Sequence, residues 1–166
     1  MRKVSNIMIK ILFLHGKESE PGGEKVSRLE RDGYTIFNPF LTKHSFEKSV
    51  ATAQDIVDTQ APDIIVGSSR GGAIAMCLET HARLILIAPA WSHYRQTAGK
   101  KLASDTMILH SRDDTIIRFE DSKRLAEIYN VTLIETGVDH RMRDEQTLET
   151  LAKTVEGCIS ENPGLL

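Results

Sequence analysis

Six short apolar runs, separated by stretches long enough to hold a helix, set the tightest limit on what this chain can fold into. They are Ile9–Leu14, Tyr34–Phe37, Asp63–Val66, Leu84–Ile87, Thr106–Leu109 and Val131–Ile134. Most are continuous rather than alternating, the pattern of strands covered on both faces in a parallel sheet. Segments of helical spacing lie between them. Phe46, Val50, Ala53 and Val57 form one stripe, closed at Ala61-Pro62 because the residue before a proline avoids the α region. Phe119, Ser122, Leu125 and Ile128–Tyr129 form another. Leu148, Leu151, Val155 and Ile159 form the last, ahead of a polar Asn162-Pro163-Gly164 tail. Alternating β and α units predict an α/β fold, doubly wound, with a mainly parallel sheet of about six strands and helices on both faces. No repeat, low-complexity tract or linker breaks the pattern, so one domain is expected over residues 1–166.

The bulk properties exclude several partners. A net charge of −2 and a pI near 6.3 leave no electrostatic footprint for nucleic acid or for an anionic membrane. Cys77 and Cys158 stand far apart and outside any CxxC spacing, which reads as two buried thiols in a reducing compartment. The opening MRKVSNIMIKILFLHGKE is basic and then apolar. Asn6 and Lys10 interrupt its run and no small-residue cleavage site follows, so it reads as a polar lead into the first strand. No segment approaches the roughly 18 apolar residues of a membrane span. The expectation is a cytoplasmic protein.

In doubly wound sheets the chemistry sits at the carboxyl ends of the strands. Five loops there carry candidates: His15-Gly16-Lys17, Gly67-Ser68-Ser69-Arg70-Gly71-Gly72, Pro89–Tyr94, His110–Asp114 and Gly137–His140. The second admits two readings. A phosphate cradle would need Lys-Ser/Thr closing the glycine run, but Gly71-Gly72 is followed by Ala73-Ile74. A dinucleotide turn would need GxGxxG and an acid ending the next strand, and both are missing. The alternative fits: Gly67-Ser68-Ser69-Arg70-Gly71 is G-x-S-x-G between a strand and a helix, a turn that lifts its central serine clear of the sheet.

A serine hydroxyl needs a base, and the base an orienting acid. Of the six histidines, His81 lies at the wrong end of the sheet and His44 in a polar loop. His15 and His110 sit at strand ends, where packing or a supporting hydrogen bond is the expected role. His93 and His140 remain, and for the acid Asp113 and Asp114. Two backbone donors must face the oxyanion. The N–H of Arg70 follows the serine, and the loop after the first strand offers the N–H of Lys17, with Gly16 permitting close approach.

These motifs resemble the α/β-hydrolase superfamily, and within it the small, lid-less bacterial esterases of the YqiA-like group. "LHGKESEP" (Leu14–Pro21) fits that group's L-H-G-x-x-S-x-P, and "GSSRGG" (Gly67–Gly72) fits G-S-S-x-G-G. The resemblance places the base at His140, between the last strand and the last helix. Aligning the His110–Ile117 run with H-G-x-x-D-x-x-V gives the acid as Asp114 and leaves Asp113 exposed or capping the turn. It implies hydrolysis of a carboxylic ester or thioester, a small-molecule substrate, through Ser69, His140 and Asp114, with no metal and no cofactor.

Two departures stand out. Arg70 occupies a position expected to be neutral, so either it pairs with an acid such as Glu18 or its guanidinium sits at the mouth and selects anionic substrates. The segment from Ala88 to Asp105 is too short for a lid, which predicts a shallow pocket walled by Trp91, Tyr94 and Met142. Two other readings stay open: a hydrolase-fold binding protein with an idle triad, and an amidase or peptidase using the same three residues.

Overall fold

A computed structural model describes residues 8–162 and Gly164. The expected polar lead over residues 1–7 and part of the expected tail lie outside the described residues. All six apolar runs become strands: β1 (Lys10–Leu14), β2 (Thr35–Phe37), β3 (Ile64–Ser68), β4 (Arg83–Ile87), β5 (Met107–His110) and β6 (Thr132–Glu135). They form one sheet in the order β2-β1-β3-β4-β5-β6, with every pairing parallel. Among the described residues no helix is long and apolar enough to cross a membrane.

The continuous runs are explained by two-sided burial. Leu12, Leu14, Ile65, Leu84, Leu86 and Ile108 point to one face. There they meet α2 (Phe46–Gln60), α3 (Arg70–Ala75) and α4 (Phe119–Tyr129). Their neighbours Ile11, Phe13, Ile64, Val66, Ile85 and Ile87 point to the other, under α1 (Glu24–Arg31) and α5 (Glu145–Ser160). Most of these strand residues are fully buried, each worth roughly 1.5–3 kcal/mol of apolar transfer.

Helix boundaries follow local chemistry. Ser45 caps α2 by accepting the Lys48 N–H at 3.1 Å, and Asp144 caps α5 by accepting that of Thr147 at 3.0 Å. The end of α2 falls at Gln60, where Ala61 turns into the left-handed region at φ 46° just before Pro62. Helix α1 has no counterpart in the sequence reading. Its eight residues EKVSRLER offer only Val26 and Leu29 as apolar markers, too few for a stripe. Cys158 is buried as expected, Cys77 only partly so, and both are free. Cys77 sits just past the end of α3 on the side facing Gln96, where its thiol keeps some solvent.

From β1, in the interior of the sheet, the chain runs out to the β2 edge and returns to β3. The direction reverses between β1 and β3. After β1 the chain leaves for the face of α1, and after β3 for that of α3. The two loops part over the carboxyl ends of neighbouring strands and leave a crevice.

Candidate active site

Ser69 stands at the turn between β3 and α3 with φ 54° and ψ −116°, a sparsely populated conformation for a residue bearing a side chain. Four backbone bonds hold it there. Its N–H donates to Ile87 O at 2.8 Å, and its carbonyl accepts the N–H groups of Gly72 and Ala90, both at 3.0 Å, and of Ala73 at 3.3 Å. Strained backbone of this kind persists where surrounding structure fixes it, and it clusters at functional sites.

The predicted partners converge on it. His140 Nε2 lies 3.0 Å from Ser69 Oγ, and His140 Nδ1 lies 2.7 Å from Asp114 Oδ2. The Asp114 carboxylate can only accept, so Nδ1 carries the proton and leaves Nε2 free to take one from the serine. Asp114 itself is immobilised. Its Oδ1 accepts the N–H groups of Ile116 at 2.8 Å and Ile117 at 2.9 Å. Its Oδ2 also accepts from His110 Nε2 at 2.9 Å. Asp113 is exposed, and His93 lines the cleft but is likewise exposed. His44 and His81 are surface residues.

His110 is the supporting residue whose full part the sequence left undefined. It is completely buried, donates from Nε2–H to Asp114, and with that tautomer its Nδ1 accepts the Ser122 hydroxyl on α4 at 2.7 Å. Burial alone would raise the Asp114 pKa. The bonds from His110, His140 and the two backbone N–H groups outweigh it and hold the carboxyl well below the usual carboxylate range. A carboxylate depressed in the folded state stabilises the protein above its unfolded pKa of about 3.9, and that contribution fades as pH falls through the folded value. Thermal midpoints of wild type and Asp114→Asn are therefore expected to differ most near neutrality and to converge below about pH 4. Parallel curves down to pH 3 would contradict this.

His15 shapes the facing loop. Its Nδ1–H donates to Gly16 O at 2.8 Å, while its Nε2 accepts the Leu41 N–H at 3.0 Å. The Gly16 carbonyl also accepts from Ser19 N–H at 3.3 Å. Because the peptide is planar, fixing this carbonyl fixes the opposed N–H of Lys17. A Cβ built on Gly16 would lie 3.5 Å from Ser69 Cβ, so the loop runs directly beside the serine. On the other side the Arg70 N–H opens α3, where the first N–H groups of a helix have no intrahelical acceptor.

The Arg70 side chain corrects both expectations for it. Its guanidinium is neither paired with Glu18 nor displayed at the mouth, and the residue is 2% exposed. Nη2 donates to Thr42 O at 2.9 Å, Ser45 O at 3.2 Å and Ser49 Oγ at 3.1 Å. The group lies 5.6 Å from the centre of the Phe46 ring, which in turn stacks on Tyr94 at 4.5 Å. The planar fork turns inward to acceptors around the start of α2, where Nη2 is satisfied and the buried Nη1 has no hydrogen-bond partner among the described residues.

The expected walls also change. A cleft of about 740 Å³ includes His15, Gly16, Lys17, Ser69, Tyr94 and His140, within the size range of small-molecule sites. Trp91 and Met142 do not line it. The Trp91 indole donates to Asp121 O on α4 at 3.0 Å, and Met142 is fully buried beneath α1 and α5. The cleft is lined by residues 16–20 and 22–25 and by His140, Arg141 and Arg143, as well as by Ala90, His93 and Tyr94 of the segment 88–105. That segment holds two short 3-10 turns, Trp91–His93 and Arg95–Thr97. A smaller hollow of about 280 Å³ beside Arg83, Met107 and Cys158 lies at the opposite, amino-terminal ends of β4 and β5 and holds none of these groups. Among the described residues no cluster of three metal-ligating side chains occurs.

Neither a protein-family model nor a curated protein sequence matches the chain. Solved structures do. A protein of the alpha/beta hydrolase superfamily from Xanthomonas campestris pv. campestris aligns with a TM-score of 0.67 at 22% identity, over 92% of this chain and 99% of its own. Alpha/beta hydrolase domain-containing protein 10 from mouse aligns with a TM-score of 0.73 at 18% identity, over 92% and 90%. Est1E from Butyrivibrio proteoclasticus with ferulic acid bound gives 0.74 at 14%, over 97% and 92%. The fold is that of the α/β-hydrolases.

Proposed function

We propose that the protein is a serine hydrolase that cleaves a carboxylic ester or thioester through an acyl-enzyme on Ser69. One observation carries this reading: the relay from Ser69 Oγ to His140 Nε2 at 3.0 Å and from His140 Nδ1 to Asp114 Oδ2 at 2.7 Å. It is aimed from a strained turn into an open cleft. His140 takes the Ser69 proton as Oγ attacks the carbonyl carbon. The N–H groups of Lys17 and Arg70 stabilise the oxyanion, and His140 Nε2–H then protonates the departing alcohol or thiol. Water, deprotonated by the same imidazole, releases the acid. The fold neighbour with bound ferulic acid carries a carboxylic acid, the product class of such a reaction.

The cleft mixes Phe13, Tyr94, Ile116 and Ile117 with many charged side chains. That lining suits a short or polar acyl group better than a long alkyl chain.

The test is labelling of the purified protein with a fluorophosphonate, read by peptide mass spectrometry. The expected result is a single adduct on Ser69 that His140→Ala abolishes. A folded sample without an adduct would move the assignment to a binding protein with an idle triad. A labelled protein that cleaves amides faster than matched esters would move it to an amidase.

A further inference from the structure

We propose that Lys25 is a positioning residue for His140, its ammonium tying down the two peptide carbonyls that follow the histidine and so holding the imidazole at Ser69. The inference rests on the serine-hydrolase reading. Lys25 lies in the first turn of α1 and is 9% exposed. Its Nζ donates to Arg141 O at 2.6 Å and to Met142 O at 3.1 Å.

The loop that carries His140 needs such an anchor because its backbone is bent. Met142 takes φ 52°, a conformation costly for a residue with a side chain. Its N–H donates to Asp139 Oδ1 at 3.0 Å, and Ser111 Oγ donates to Gly137 O at 2.9 Å. Lys25 supplies a third tie, and the only one of the three that comes from α1. Neighbouring Glu24 faces Arg143 at 3.7 Å, and among the described residues no carboxylate lies within 4 Å of Lys25 Nζ.

A lysine buried without an acid is held at a cost. Burial, helped by Arg143 and opposed by Glu24, Asp139 and Asp144, pushes the ammonium pKa down to about 8. An apolar side chain would avoid that penalty on a face that already packs Val26 and Leu29 into the core. What the ammonium gives in return is the placement of residues 141 and 142, directly beyond the base. A displacement of about 1 Å in a reacting group costs on the order of a hundredfold in rate.

Lys25→Met removes the donors and the buried charge together. The expected variant is folded and loses hydrogen-exchange protection across residues 139–143. Its kcat on a short-chain ester falls at least about tenfold while KM stays within about twofold, the pattern of a lost transition-state arrangement. Lys25→Arg, which keeps the charge and several N–H donors on a long side chain, is expected to restore most of the rate. A folded Lys25→Met protein with wild-type exchange and wild-type kcat overturns the proposal, as does a loss confined to KM. If Lys25→Met does not fold, Lys25→Gln, with an uncharged donor one atom shorter, is read the same way. Absence of a Ser69 adduct in the wild type would tell against the hydrolase reading. Unchanged exchange in the variant would tell against Lys25 alone.

Discussion

Ser69→Ala and His140→Ala are each expected to lower kcat for ester or thioester hydrolysis by about 10⁴–10⁶, and the double variant to lose no more than the worse of the two. The physical reason is that the hydroxyl is a competent nucleophile only while its proton has somewhere to go. With His140 Nε2 at 3.0 Å from Oγ, deleting either atom removes the same event. The residual rate should come from the oxyanion donors and from substrate binding, which both substitutions leave in place. Asp114→Asn should cost on the order of 10⁴, since an amide can present an N–H to the ring and reverse the tautomer that Oδ2 fixes. The measurement is single-turnover kinetics on a panel of short esters and thioesters. Additive losses would place the proton acceptor elsewhere. His93, exposed on the same cleft, is then the residue to replace next.

These residues were legible before the structure because each follows a strand that is itself legible. Two-sided burial forces continuous apolar runs, and such runs mark β1, β3, β4 and β5 without regard to their partners, while the edge strand β6 is marked only by the half-buried pair Leu133 and Ile134. The turn after β3 is written in glycines at 67, 71 and 72, so Ser69 could be singled out from local sequence. What stayed hidden depends on contacts between distant segments. Helix α1 places Lys25 against residues 141 and 142, a separation of more than a hundred positions, and only two buried apolar residues mark it. His110 reads as a polar residue ending a strand, and nothing nearby indicates that Ser122 on α4 would complete its bonding. Arg70 misled because a cation beside a nucleophile suggests a substrate, whereas the acceptors that bury it are carbonyls, and carbonyls leave no mark in a sequence. Trp91 and Met142 fell within the right loops but turned into the protein.

Gly71→Ala is expected to be the most damaging single methyl in the chain. A Cβ there would stand 2.0 Å from the Leu14 carbonyl oxygen, 2.5 Å from its carbon and 2.9 Å from His15 O. Those atoms are backbone at the end of β1, and Leu14 is fully buried and in register with Gly67 of β3. No rotamer change can relieve the contact. Either the α3 turn lifts off the sheet or β1 shifts in its pairing. The expected cost exceeds about 4 kcal/mol, a large share of the roughly 5–15 kcal/mol that holds a domain together. Gly157→Ala in α5 is the matched control. Nothing lies within 4 Å of its Cβ position, and a helical Gly→Ala change should stabilise by about 0.5–1 kcal/mol. Denaturant unfolding of the two variants should therefore move in opposite directions. A Gly71→Ala midpoint close to wild type would mean that the turn does not seat on β1. The site depends on that seating. The approach that leaves no room for a methyl at 71 sets the Ser69 turn against the end of β1. It thereby brings the Lys17 N–H, on the loop that continues β1, to the side of the serine where an oxyanion would form.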